Sequence, residues 1–188
     1  MSWIDETLQP NGTMINKLGI TDSTELAEIE RLIVSAKYVS IPDYRIESID
    51  TLKKIHFWLF SDLYSWAGKF RTGDFQKGNT VFFPRERFYI AISDLNNQIS
   101  EIVNSRAISK DDLAIESAGL LLDINNFHPF REGNGRTQRL FIQLLIRQMG
   151  FNFDLSRGSL NYKIYMDASI NDDKKKMATM IYSGMSEL

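Results

Sequence analysis

The sequence predicts a mainly α-helical fold, a helical bundle carrying one small β-hairpin, and three observations support that prediction. Apolar residues recur at three- and four-residue spacing in successive stretches between residues 22 and 184. The rhythm breaks between residues 70 and 83, where turn residues and the β-branched and aromatic run Thr80-Val-Phe-Phe83 replace it. At 188 residues, 43% hydrophobic and 12% aromatic, the chain has ample material for a full core. No repeat, low-complexity tract or linker divides it, so one domain over residues 1–188 is expected.

Residues 1–20 form an arm: Gln9-Pro-Asn-Gly-Thr-Met14 carries turn signals and no apolar period. Asp22 or Ser23 can cap a first helix that places Leu26, Ile29, Ile33 and Ala36 on one stripe and ends by Ser40. After the connector Ile41-Pro-Asp-Tyr-Arg45, a second helix begins at Ser48, with Leu52, Ile55, Leu59 and Leu63 on one face. His56 lies next to that stripe and reads as a packing or surface residue, since no carboxylate or nucleophile pattern surrounds it. Residues 70–83 form the hairpin, with turns at Thr72-Gly73 and Lys77-Gly78-Asn79. Pro84 fits the first turn of a third helix to about Val103, with Phe88, Ile92, Leu95, Ile99 and Ile102 in register. Ser109 caps a fourth, whose face of Leu113, Ser117, Leu120, Leu121 and Ile124 leads to Phe127 and His128.

A fifth helix follows through Leu140-Phe-Ile-Gln-Leu-Leu-Ile146, apolar on nearly all sides and therefore central. Gly150 is a natural C-cap, Phe151–Leu155 reads as extended or loop, and two last helices fall at about 158–169 and 172–184. Lys174-Lys-Lys176 is a solvated face.

Composition also excludes function classes. With no cysteine and two histidines, disulfides, thiolate metal sites and a zinc centre are ruled out or improbable. A net charge of −2 and a pI of 5.7 leave no electrostatic footprint for direct nucleic-acid binding. No segment reads as a signal peptide or membrane span, so a soluble cytoplasmic protein with no membrane partner is expected.

The chemistry concentrates in His128-Pro-Phe-Arg-Glu-Gly-Asn-Gly-Arg-Thr-Gln-Arg139. Glycines 133 and 135 leave backbone N–H groups unobstructed at the start of the fifth helix, where amides and helix dipole together bind anions, polyphosphate above all. Arg136 and Arg139, three apart, should project from one side of the first helical turn and point back over that loop to grip phosphate oxygens. Glu132 is placed to hold a phosphate-bound Mg²⁺, which commonly takes one or two protein carboxylates. His128 supplies a base, with an ordinary pKa of about 6.5. A His-Pro or a Gly-x-Gly alone is usually just a loop; the joint pattern is far more specific.

This stretch resembles the signature of the Fic (filamentation induced by cAMP) family, His-x-Phe-x-Asp/Glu-Gly-Asn-Gly-Arg-x-x-Arg, and matches every defined position. The resemblance implies a Fic-type helical bundle and an ATP:protein adenylyltransferase, a nucleotidyltransferase that moves AMP from ATP to a Ser, Thr or Tyr hydroxyl of a target protein. It implies His128 as the catalytic base, Glu132 as the Mg²⁺ ligand, and Phe130 as the anchor of the loop in the core. Gly133, Asn134, Gly135, Arg136, Thr137 and Arg139 would bind the nucleotide. Tyr64-Ser-Trp-Ala-Gly-Lys-Phe-Arg71 resembles the family segment that leads into a flap beside the active site, so Lys77, Gly78, Asn79 and Thr80 would dock the target as an added strand. Without the resemblance, Trp66 reads as core and the flap as an ordinary hairpin.

The family's inhibitory motif, Ser/Thr-x-x-x-Glu-Gly/Asn, pairs its glutamate with the second signature arginine, here Arg139. Glu132 is the only glutamate followed by Gly or Asn, and Ser183-Gly-Met-Ser-Glu187, placed in the last helix, has the spacing without the following residue. The resemblance then points to a toxin-type branch whose small antitoxin supplies that glutamate in trans. Two alternatives stand beside this reading. A Doc-like protein phosphotransferase would carry Ala and Lys at positions 133 and 135, and a catalytically silent binding module would have lost the base or an arginine.

Overall fold

The computed structural model describes residues 2–78, 80–105 and 107–188. Among the described residues, seven α-helices make the body: α1 (Ser23–Val39), α2 (Asp50–Phe60), α3 (Phe88–Asn104), α4 (Lys110–Phe127), α5 (Asn134–Gln148), α6 (Leu160–Asn171) and α7 (Lys174–Gly184). Two small antiparallel strand pairs accompany them: a hairpin of β1 (Gln76–Lys77) with β2 (Thr80–Val81), and a long-range pair of β3 (Phe151–Asn152) with β4 (Ser186–Glu187) across α6 and α7. The mainly α expectation therefore holds. None of the helices among the described residues is long and apolar enough to cross a membrane.

The local starts follow side-chain chemistry. Asp22 accepts the Glu25 N–H at 2.8 Å, Ser109 the Asp112 N–H at 3.0 Å, and Asp173 the Lys176 N–H at 2.9 Å, each satisfying an orphan donor of a first turn. Pro84 behaves differently from expectation: it is extended, at ψ 133°, and precedes a short 3-10 turn over Arg85–Arg87, so α3 starts only at Phe88. Leu63 falls beyond α2, which ends at Phe60, yet it is fully buried because the turn after the helix folds back onto the core.

Helix α5 is central, packed against α2 and α4, and α4 also packs along α7. One contiguous hydrophobic cluster runs from Val34 to Met185, with Phe60, Phe127, Phe130 and Phe141 fully buried within it. Helix α4 thus enters the loop over residues 128–133 and α5 leaves it, with both elements clamped in the same core.

The C-terminal end departs from a plain helical reading. Residues 151–152 pair with 186–187, so the last helix stops at Gly184 and Glu187 sits exposed on β4. The placement of Ser183–Glu187 in the last helix is thereby corrected: Met185 turns to ψ 132° at the C-cap. The arm packs inward instead of leading simply to α1. Trp3 donates its indole N–H to the Asp74 carbonyl at 2.8 Å, and Arg131 Nε donates to Thr7 Oγ1 at 2.8 Å. It braces the base of the first hairpin and the loop before α5 together.

Candidate active site

His128 ends α4 in a left-handed conformation, φ 44°, a turn that brings its ring toward the first hairpin. There it stacks on Phe82 at 3.7 Å between centroids, with Phe75 behind at 5.7 Å. Its Nδ1 lies 3.3 Å from the Asn125 carbonyl; a carbonyl can only accept, so Nδ1 carries the proton and Nε2 keeps its lone pair. Burial pushes the imidazole pKa down to about 4, against smaller raising effects from the Asn125 carbonyl and Glu132. The ring is neutral at physiological pH.

The loop from Pro129 to Gly133 is held closed from inside. Asn134 accepts the Phe130 N–H and donates to the Phe130 carbonyl, both at 2.9 Å, which engages both polar atoms of its buried side chain. Thr137 is fully buried and donates its hydroxyl to the Gly133 carbonyl at 3.0 Å. The side chains of Asn134 and Thr137, expected at the nucleotide, therefore face the loop's own backbone. Gly133 sits at φ 81°, and a Cβ there would come within 2.4 Å of the Phe60 ring, so both conformation and space require glycine. Gly135 is already inside α5, where a Cβ would approach Arg139 Nη1 at 3.2 Å.

The first bond of the following turn runs from the Thr137 N–H to the Gly133 carbonyl, leaving the N–H groups of Asn134, Gly135 and Arg136 without an intrahelical acceptor. The Gly133 N–H is covered at 3.0 Å by the carboxylate of Glu132, a side chain that remains 45% exposed. One partly exposed carboxylate suits a cation that takes most of its ligands from phosphate and water. Among the described residues no cluster of three His, Cys, Asp or Glu could hold a metal alone.

The two arginines take different neighbours, though both reach back to the loop: Arg136 Nη2 lies 3.8 Å from Glu132 Oε1, and a Cβ on Gly135 would meet Arg139 Nη1. Three residues of helix leave about 60° between them, and different neighbours take each. Arg136 pairs with Glu30 of α1 at 2.6 Å and lies over the Phe60 ring at 4.7 Å. Arg139, only 6% exposed, lies over Tyr162 and Tyr165 of α6 at 4.9 and 5.5 Å. It has no carboxylate partner among the described residues, and its Nε is buried without an acceptor.

Two residues that position the loop were not legible in the sequence. His56 is fully buried and stacked on Phe130 at 3.8 Å; its Nδ1 accepts the Gly68 N–H at 2.8 Å and its Nε2 donates to the Glu132 carbonyl at 3.0 Å. Burial drives its pKa to about 4. Arg71, 2% exposed, donates Nε to the His128 carbonyl at 3.0 Å, Nη1 to the Gly73 carbonyl at 2.5 Å, and Nη2 to the Phe83 carbonyl. It joins the first hairpin to His128.

The hairpin pairs Gln76 with Val81 and Lys77 with Thr80. Lys77, Gly78 and Thr80 are exposed, with Gly78 at φ 58°; Asn79 lies outside the described residues. The Fic/DOC family pattern matches residues 46–146, more than half of the chain and all of the loop. The chain belongs to the Fic/DOC family.

Relatives within and near that family agree in sequence and shape. The chain is 32% identical over 184 residues to the probable protein adenylyltransferase y4lH of Sinorhizobium fredii, covering 94% of this chain and 93% of that one. It is 33% identical over 149 residues to protein adenylyltransferase VbhT of Bartonella schoenbuchensis, covering 78% of this chain but only 31% of that relative's length. In fold it matches the BepC effector of Bartonella tribocorum, a structure with bound AMPPNP, at a TM-score of 0.84, 21% identity and 98% coverage of both chains. The Fic helical fold is thereby established for this chain.

Proposed function

We propose that this Fic/DOC protein is an ATP:protein adenylyltransferase that moves AMP to a hydroxyl of a target protein. The observation that supports it best is Arg139, a buried guanidinium with no anionic partner among the described residues, beside the free amides that open α5. An uncompensated buried charge of that kind is costly unless an anion arrives to neutralise it. A triphosphate does so. The relatives named protein adenylyltransferase support the same reading.

In this reading the neutral Nε2 of His128 takes the proton from the target hydroxyl as its oxygen bonds to the α-phosphorus of ATP. The bond from that phosphorus to the α,β-bridging oxygen breaks, and pyrophosphate leaves. The amides of Gly135 and its neighbours and the Arg139 guanidinium bind the phosphates. Glu132 would hold Mg²⁺, whose chemistry is to neutralise phosphate charge and orient the leaving group. The exposed edge of the first hairpin, through Lys77 and Thr80, would pair with an extended target segment and bring its hydroxyl to His128. Control would come in trans: a small partner's glutamate paired to Arg139 would exclude the γ-phosphate, as in a toxin held by its antitoxin.

The test is incubation of candidate target extracts with the protein and either α- or γ-labelled ATP. Label from the α-phosphate alone is expected on protein, and excess chelator is expected to abolish it. Transfer of γ-label instead would replace the reading by a Doc-like phosphotransferase.

A further inference from the structure

The ion pair that separates Arg136 from Arg139 lies partly outside the segment the family pattern matches. Glu30 belongs to α1, upstream of residue 46, and is only 8% exposed. Both of its oxygens are engaged: Oε1 meets Arg136 Nη2 at 2.6 Å, and Oε2 accepts the hydroxyl proton of Tyr64, itself 1% exposed. Burial first, and then this bond to a carboxylate, hold the Tyr64 hydroxyl well above its ordinary pKa, so it is a permanent donor. A carboxylate fixed at both oxygens fixes in turn whatever it binds.

Arg136 is otherwise a long side chain with many rotamers at the mouth of the loop. The Phe60 ring at 4.7 Å confines its plane, and Glu30 confines its rotation within that plane. Its Nη2 is held by Glu30 at 2.6 Å and lies 3.8 Å from Glu132 Oε1, the longer of the two contacts, while 27% of the side chain stays exposed, so part of the guanidinium remains open for another acceptor.

We propose that Glu30 is a positioning residue of the nucleotide site, which locks Arg136 so that the guanidinium edge left over from the ion pair faces the phosphates. The proposal rests on the adenylyltransferase reading above. It makes α1 a working part of the site, with Tyr64 as the pin that holds Glu30 in turn.

Glu30→Gln keeps the shape and removes the charge, and its helical circular dichroism establishes that it folds. Binding of Mg-ATP and of adenosine is then measured by calorimetry on the full chain, with steady-state transfer alongside. ATP affinity is expected to fall on the order of tenfold, a usual cost of losing a group that orients a ligand-binding side chain. Adenosine affinity should not change, because Arg136 acts on phosphates only. Tyr64→Phe should move ATP affinity in the same direction by less. An equal loss for ATP and adenosine would mean a merely structural staple and overturn the proposal, and so would unchanged or tighter ATP binding. Wild-type protein that binds no ATP would instead overturn the adenylyltransferase reading and this proposal with it.

Discussion

His128 shows how much a single residue's surroundings decide its chemistry. It tolerates a left-handed φ of 44° because α4 must turn there, and the same turn lays the ring between Phe82 and the Asn125 carbonyl. Replacing it by Ala should leave the fold intact, at a modest cost in melting temperature for the left-handed φ and the lost ring stack, and reduce transfer by about 10²–10⁴-fold, the usual loss with a general base. Normal turnover in the purified variant would remove His128 from the mechanism. Because burial lowers its pKa to about 4, kcat/KM should stay flat from neutrality down to about pH 5 and fall only as the ring protonates near 4. An inflection near 6.5 would show that the ring is solvated in the working enzyme.

At the scale of elements, the first hairpin and the loop before α5 are tied into one piece. Arg71 reaches three carbonyls across both, His56 ties α2 to the Glu132 carbonyl, and the Phe83 N–H bonds the Asn126 carbonyl at 3.1 Å. Arg71→Lys cannot fork to three acceptors, so it should destabilise the fold by on the order of 1–3 kcal/mol for each carbonyl left unpaired. Hydrogen exchange should then rise together at residues 72–78 and 128–133. A rise confined to the hairpin would show the two elements to be independent.

These ties also mark the limit of what the sequence discloses. Helix positions and the loop were legible because apolar spacing and the run from His128 to Arg139 are written in residue types. His56 and Arg71 were not, since their partners are backbone carbonyls 76 and 57 residues away, which every residue type possesses. The pairing of Arg136 and Arg139 with different neighbours was hidden for a related reason. It depends on Glu30 and on Tyr162 and Tyr165, which only the assembled helices bring near.

For the molecule as a whole, the two histidines govern acid stability in one direction. His56 is buried and His128 half-buried, and both are neutral, with burial lowering each pKa to about 4, while in the unfolded chain each titrates near the ordinary value of about 6.5. Between those values the unfolded state binds more protons, so stability is full above about 6.5 and is lost as pH falls toward 4. The slope is about 1.4 kcal/mol per pH unit for each histidine. Urea unfolding at pH 7, 6 and 5 should show the midpoint falling, and His128→Ala should remove about half of the slope. Equal midpoints at all three values would contradict the depressed pKa of both rings.

The companions of the two arginines have a consequence for variation among related chains. Glu30 precedes the segment matched to the family, and Tyr162 and Tyr165 follow it. A substitution in α1 or α6 can therefore alter the charge or the lid above an arginine while leaving every residue of the loop untouched. On the proposed function, two proteins with the same twelve-residue run would differ in how tightly they hold a triphosphate, and the difference would be sought in helices that a search by signature never reads.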